Sequence, residues 1–264
     1  MEQITDGVLE NLITRYGPVD IVWGGFDCRA LSRAGQGRGF KDRRLKSFFD
    51  LVRVINWCQN KQQGHQVWYF CENTWPGTNV KEGVREAFEM IEMFLGRGAL
   101  VDAADLGSAA HRVRFYWTNI VESWKLPLLI PSGDDTQSPP ALDTILESYH
   151  TPAPVFHDDK LPFSPLNTTG NPRVCLPTLM STIGSWAFRT QPDGSIGPGQ
   201  LWNEGTHQWE EPNLGERELM MGMWRGASGR GEGNEQVRHK MLGQAMGHNV
   251  MRWVGGIMAA RWSL

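Results

Sequence analysis

The chain has 264 residues, 40% of them hydrophobic and 21% charged, fractions that place it among globular proteins and exclude disorder for most of its length. That length admits one large α/β domain, alone or with a smaller appendage, and leaves little room for two full-sized domains. The formal net charge of -3 does not mark a nucleic-acid binder; no run nears the roughly 18 to 20 apolar residues of a membrane span, and MEQITDGVLENL lacks the basic and apolar regions of a signal peptide, so the sequence reads as intracellular.

In chain order, VDIVWGG (Val19 to Gly25) is a short apolar run ending in paired glycines, as a buried parallel strand running into a functional loop does. Beyond a Gly- and Arg-rich stretch, Leu45, Phe48, Val52 and Ile55 recur at spacings of three, four and three, a helical stripe. VWYFCEN (Val67 to Asn73) reads as a second buried strand. Asn79 with Glu82 makes a capping-box pattern, and Val84, Phe88, Ile91 and Leu95 then mark a helix that stops near Gly96 and Gly98. ALVDA and RVRFYWTN follow as strands. Residues 131 to 172 hold eight of the fifteen prolines, which marks a loop-rich insertion or linker. Trp186, Phe188, Trp202 and Trp209 punctuate a Gly-rich stretch suited to a small β lobe, and Pro212 to Met223 looks like a helix entry. A last helix is expected over Gln236 to Trp262, its apolar face drawn from Val237, Met241, Leu242, Ala245, Val250, Val254 and Ile257. Three parts result: an α/β part over 1–125, a Pro/Gly-rich insertion over 126–212, and a helical return over 213–264.

Charge is unevenly spread. From Arg29 to Arg53, eight Lys or Arg stand against only Asp42 and Asp50, and from Arg217 to Arg261 seven face Glu218, Glu232 and Glu235. Either segment is an ordinary solvated face or a surface for an anionic partner. The four cysteines, Cys28, Cys58, Cys71 and Cys175, form no CxxC pair, so neither a zinc cluster nor a disulfide framework is expected, and no metal site.

Three short stretches hold residues able to do chemistry. In GGFDCRALS, Cys28 stands three residues beyond the glycine pair, at the carboxyl edge of an open sheet where such folds place their sites, and nearby Arg29 and Arg33 would favour a thiolate. A nucleophile and a small core cysteine both fit that position. CENTWPG puts Glu72 at the same edge, as an acid for a substrate or as a cap. In SAAHRVRFYW, Arg112 and Arg114 alternate with apolar residues and so share one strand face, bridging carboxylates or holding a planar polar group.

Taken in order, GGFDCRALS, CENT, HRVRF, NLGERELMMGM and MLGQAMGHNVM resemble the motif series of the DNA cytosine-5 methyltransferase family, over almost the whole chain. SFFDLVRVI, SAAHR and the short recognition region look closest to the de novo branch of animals and plants. The resemblance implies a partial Rossmann-like, S-adenosylmethionine-dependent methyltransferase sheet with a small loop-rich target-recognition lobe, and a nuclear location in a eukaryote. It implies Cys28 as the nucleophile toward carbon 6 of a flipped cytosine, Glu72 holding the ring nitrogen and exocyclic amine, Arg114 assisting at the base and Arg112 supporting the loop. DNA would be the partner, its backbone met by Arg29, Arg33, Arg38, Lys41, Arg43 and Arg44, with Gly35, Gly37 and Gly39 in a loop able to close over the base. The methyl donor would lie near Asp27, Asn73, Thr74, Gly243, Gln244 and Met246. In the de novo branch the phenylalanine pair matching Phe48 and Phe49 lies at a subunit interface; simple core packing is the other reading of these two residues.

Four features depart from the family pattern, two of them being Thr74 in place of valine and Gln244 in place of asparagine. Asp27 stands where the motif has proline, and a carboxylate there tends to raise the thiol pKa. The Phe-x-Gly-x-Gly donor loop expected ahead of the nucleophile has no counterpart in MEQITDGVLENLITRYGPVDIVW, so the donor pocket is expected to be incomplete in this chain. The strand ending at Trp23 is then expected at an open sheet edge, to be covered by a second copy or by a partner methyltransferase chain supplying the donor-binding half. A catalytically inactive, regulatory relative is the alternative reading.

Overall fold

The computed structural model describes residues 4–32, 38–131, 142–152, 175–230 and 234–262. The chain forms two compact units, the first made of Met1–Val101 and Arg114–Leu129, the second of Asp102–Val113 and Ile130–Leu264. The boundary expected at 125 falls near the end of the first unit. Residues 126–212 and 213–264, expected as separate parts, lie mostly together in the second.

In the first unit the elements run α1 (Asp6–Tyr16), β1 (Ile21–Gly25), α2 (Lys46–Lys61), β2 (Trp68–Thr74), α3 (Glu82–Leu95), β3 (Ala99–Asp102) and β4 (Val113–Thr118). The sheet order is β1-β2-β4-β3. β1 and β2 are parallel, as a helical crossover through α2 requires, and pair Gly25 with Glu72 at their carboxyl ends. β2 and β4 are antiparallel and set Thr74 opposite Arg114. Among the described residues β1 therefore ends the sheet, as the sequence leads one to expect.

The α2 stripe packs as its spacing predicts: Leu45, Phe48, Val52 and Ile55 are all buried. They share one core with Val84, Ala87, Ile91 and Leu95 of α3 and with the cross-strand neighbours Cys71 and Trp117. Gly98 makes room for the indole, since a Cβ there would lie 2.6 Å from Trp117 Nε1. The Asn79–Glu82 box does not form. α3 starts at Glu82 itself, with Lys81 at the capping position, so Glu82 is the first helical residue and not the third.

The second unit holds a three-stranded antiparallel sheet of β5 (His150–Pro152), β6 (Leu201–Asn203) and β7 (Gln208–Glu210), then α4 (Leu214–Met220), α5 (Glu235–Gln244) and α6 (His248–Trp262). Trp202 and Trp209 face each other across the β6–β7 hairpin. α4 opens with a capping box between Asn213 and Glu216. The single last helix expected from Gln236 is broken. Ala245 leaves the helix with extended backbone, and the break lets His248 N–H donate to the Met221 carbonyl. Leu242, Val250 and Val254 are buried as expected, but Val237 and Met241 are exposed because α5 turns a different face inward from the one a continuous helix would.

Candidate active site

Past Gly25, the buried Phe26 anchors the chain and Cys28 opens a 3-10 turn, Cys28–Ala30. The Cys28 carbonyl accepts from the N–H groups of Leu31 (3.0 Å) and Ser32 (2.8 Å), and Ala30 and Leu31 are buried beneath it. Cys28 is exposed, whereas Cys58, Cys71 and Cys175 are buried. Its residue keeps surface, yet the sulfur sits low enough that burial is the main force pushing the thiol above its ordinary pKa; Arg114 pulls it down, while Glu72 and Asp27 push it further up.

Glu72 is in register with Gly25, and a Cβ at Gly25 would meet Glu72 Oε2 at 3.2 Å and the Glu72 carbonyl oxygen at 3.1 Å. The glycine leaves the space over the strand end that this carboxylate fills. Arg114 donates from Nε to Glu72 Oε1 at 2.8 Å, with both side chains mostly buried. Asn73 is buried and donates from Nδ2 to the Phe26 carbonyl (2.9 Å), while its Oδ1 accepts from Thr74 N–H (2.8 Å). Asn73 thus ties the end of β2 to the Cys28 turn. Cys28, Glu72 and Arg114 come together at the carboxyl edge of β1 and β2: a thiol, a carboxylate and a planar cation.

Asp27 is bound from several sides. Its N–H donates to Ser47 Oγ (3.1 Å), and that hydroxyl donates to the Arg44 carbonyl (2.9 Å). Its carboxylate accepts from Arg29 N–H (2.9 Å) and Nε (3.0 Å) and pairs with the same guanidinium through Nη2. Asp42 and Arg44 repeat the arrangement two residues apart, and Arg44 holds the Asp42 carboxyl well below the usual carboxylate range. Arg29 is therefore turned to Asp27, and Arg114 is the arginine that favours the Cys28 thiolate most, which corrects the expectation drawn from the sequence. Of the remaining basic residues, Arg38, Lys41 and Arg43 are exposed, and Arg33, with Gly35 and Gly37, lies outside the described residues. Gly39 has φ +53, and a Cβ there would stand 1.9 Å from the Gly83 carbonyl oxygen, so it seats the end of this segment on the first turn of α3.

Arg112 does not share a strand face with Arg114. It precedes β4, belongs to the second unit, and is 3% exposed. Its Nη2 donates to the Gly243 carbonyl at 3.2 Å and its N–H to Asp102 Oδ1 at 2.7 Å. Asp102, fully buried, also meets His111 Nδ1 at 2.7 Å. Burial opposes its charge, but the His111 contact and the N–H groups of Arg112 and Ala104 bring its pKa below the ordinary value. A Cβ at Gly243 would lie 2.2 Å from Ser181 N, so this glycine admits the crossing chain of Met180 and Ser181. Gln244 is exposed and Met246 half-buried. Phe48 is wholly buried in its own core, which corrects its expected place at an interface. Phe49 is 42% exposed and packs its ring against Phe40 and Phe94.

As a set for a methyl donor these residues fit only in part. The Asp27 carboxylate is engaged by Arg29 and the Asn73 amide by Phe26 and Thr74, while the Gly243 carbonyl is taken by Arg112. No group of His, Cys, Asp and Glu among the described residues is arranged to hold a metal. Sequence reading missed Ser47, the Asp102–His111 pair and the Gly39–Gly83 contact. It also missed the Asp27–Arg29 and Asp42–Arg44 pairs, for which the Asp-x-Arg wording recurring at 27–29 and 42–44 was the signal.

The model of the C-5 cytosine-specific DNA methylase family matches residues 3–160. The chain is 32% identical over 103 residues to the type II methyltransferase M.HpaII of Haemophilus parainfluenzae, a match covering 37% of this chain and 27% of that protein. It is 26% identical over 152 residues to M.NlaIV of Neisseria lactamica, covering 49% and 34%. These matches thus span about a third or less of the curated relatives' length. Among solved structures, Dnmt2 of S. pombe superposes with a TM-score of 0.56 at 13% identity, over 93% of this chain and 79% of that one. The methyltransferase EhMeth of Entamoeba histolytica gives 0.53 at 13% identity, over 92% and 78%. At that identity the likeness is one of fold, a Rossmann-like mixed sheet.

Proposed function

Since the chain belongs to the C-5 cytosine-specific DNA methylase family, we propose that it is the base-handling part of a DNA cytosine-5 methyltransferase, with Cys28 as nucleophile. The observation that carries this is the meeting of Cys28, Glu72 and Arg114 at one sheet edge. Carbon 5 of cytosine is a poor nucleophile, and a thiolate bond to carbon 6 moves the electrons of the 5,6 double bond onto the ring. Glu72 holds the protonated ring nitrogen and accepts from the exocyclic amine as charge moves onto the ring, while Arg114 holds the base edge. The base has to leave the duplex for the sulfur to reach it. S-adenosylmethionine supplies the methyl group when bound. Loss of the carbon 5 proton then lets the sulfur leave.

We read the donor pocket as only partly provided by the described residues and as completed by further polypeptide beside β1. Support comes from the position of β1 at the end of the sheet and from the exposed Val8, Leu12 and Tyr16 of α1, with Ile4 just before it. The raised thiol pKa favours a second reading, a regulatory relative that binds DNA or an active methyltransferase without methylating. DNA carrying 5-fluorocytosine separates the two. In the presence of S-adenosylmethionine and of the polypeptide that completes the donor pocket, a covalent adduct forms at Cys28 in the first reading and is abolished by Cys28→Ser; an adduct that survives this change rejects Cys28, and the absence of any adduct favours the regulatory reading.

A further inference from the structure

The nucleophile turn has a builder that is not itself a reacting group. Asp27 has φ -56, inside the range a proline ring imposes, so the backbone entering Cys28 follows a path that proline would fix covalently. Here it is fixed by hydrogen bonds. The Asp27 N–H reaches Ser47 Oγ, which is tied in turn to the Arg44 carbonyl, and the Asp27 carboxylate caps the turn at Arg29 N–H. A proline would lose the first of these bonds and an uncharged apolar residue the last.

The same carboxylate stands beside the thiol it positions. It engages Arg29, the cation adjacent to Cys28 in sequence, through two guanidinium nitrogens. Arg114, the cation that favours the thiolate most, is shared with Glu72. A thiolate at Cys28 would therefore form between two carboxylates whose arginines are already engaged.

We propose that Asp27 is a positioning residue that holds the Cys28 turn by hydrogen bonds and sets a negative charge beside the thiol, adding to the burial that opposes its ionisation. This deepens the reading of Cys28 as nucleophile and rests on it for its catalytic consequence, but its test reads the thiol alone. Iodoacetamide alkylation of Cys28 is followed against pH by mass spectrometry in the full chain, with Cys28→Ser as background. Asp27→Asn keeps an oxygen to accept from Arg29 N–H and removes the charge. Alkylation at pH 7 should become several-fold faster, and its midpoint should move to lower pH. Arg29→Gln leaves Asp27 without its counter-charge and should move the midpoint the other way. A purely structural Asp27 would leave the midpoint in place. An unmoved midpoint in both variants, or shifts of the same sign, overturns the proposal. If Asp27→Asn does not fold, Asp27→Ser, which keeps an oxygen to accept from Arg29 N–H and removes the charge, is read in its place with the same expected shift. A chain with the expected shifts that traps no fluorocytosine keeps this inference and loses the methyltransferase reading.

Discussion

Arg114 Nε lies 2.8 Å from Glu72 Oε1, across antiparallel strands, with the two side chains 15% and 12% exposed. That placement couples Glu72 to Cys28, because Arg114 favours the Cys28 thiolate while Glu72 opposes it. The pair lets a carboxylate stay at the sheet edge near a thiol without fully suppressing it.

Arg114→Ala should be felt twice. Removing one partner of a mostly buried pair strands the other, which costs about 1 to 3 kcal/mol where some solvent still reaches it, and urea unfolding should show that loss. Alkylation of Cys28 should also slow, since the cation favouring its thiolate has gone. Glu72→Gln should instead speed alkylation. If both variants change alkylation in the same direction, the electrostatic coupling described here is wrong.

Acid should weaken the second unit through Asp102. Its folded pKa is lowered from 3.8, and a depressed acid contributes stability that is complete above the unfolded value and lost as pH falls through the folded one. The urea midpoint should therefore hold steady near neutrality and drop as the pH goes below about 4. Asp102→Asn should lower stability near pH 7 and flatten that acid limb. Asp27 and Asp42 have the same sign, but their arginines are exposed, at 60% and 38% of side-chain surface, so solvent screening makes their share small. An acid limb unchanged in Asp102→Asn would remove Asp102 from this account.

Much of the first unit was legible because burial there follows simple periods. The α2 stripe, the two parallel strands and the placing of Cys28 and Glu72 at their ends all follow from apolar spacing and paired glycines. What escaped was set by long-range contacts. The break before α6 is fixed by His248 donating to Met221, and nothing in the local pattern distinguishes Ala245 from a helical residue. Arg112 and Arg114 read as one strand face, yet the strand begins between them and Arg112 turns to Gly243 and Asp102. Phe48 and Phe49 are adjacent in sequence, and only the packing of α2 on α3 buries the one and leaves the other with surface.

The basic segment should divide in its response to salt. Arg29 and Arg44 are each clasped by an aspartate, whereas Arg38, Lys41 and Arg43 are exposed. A phosphate contact displaces counterions, and each one lost lowers the slope of log affinity against log salt by roughly 0.9 on duplex DNA. Duplex binding by the full chain, titrated in potassium chloride, should therefore lose slope in Lys41→Gln with Arg43→Gln. Arg29→Gln with Arg44→Gln should keep the slope, even where uncovering Asp27 and Asp42 weakens affinity at every salt concentration. Equal loss of slope in the two double variants would mean that DNA pulls both arginines from their aspartates, and that Asp27 is uncovered whenever a duplex is bound.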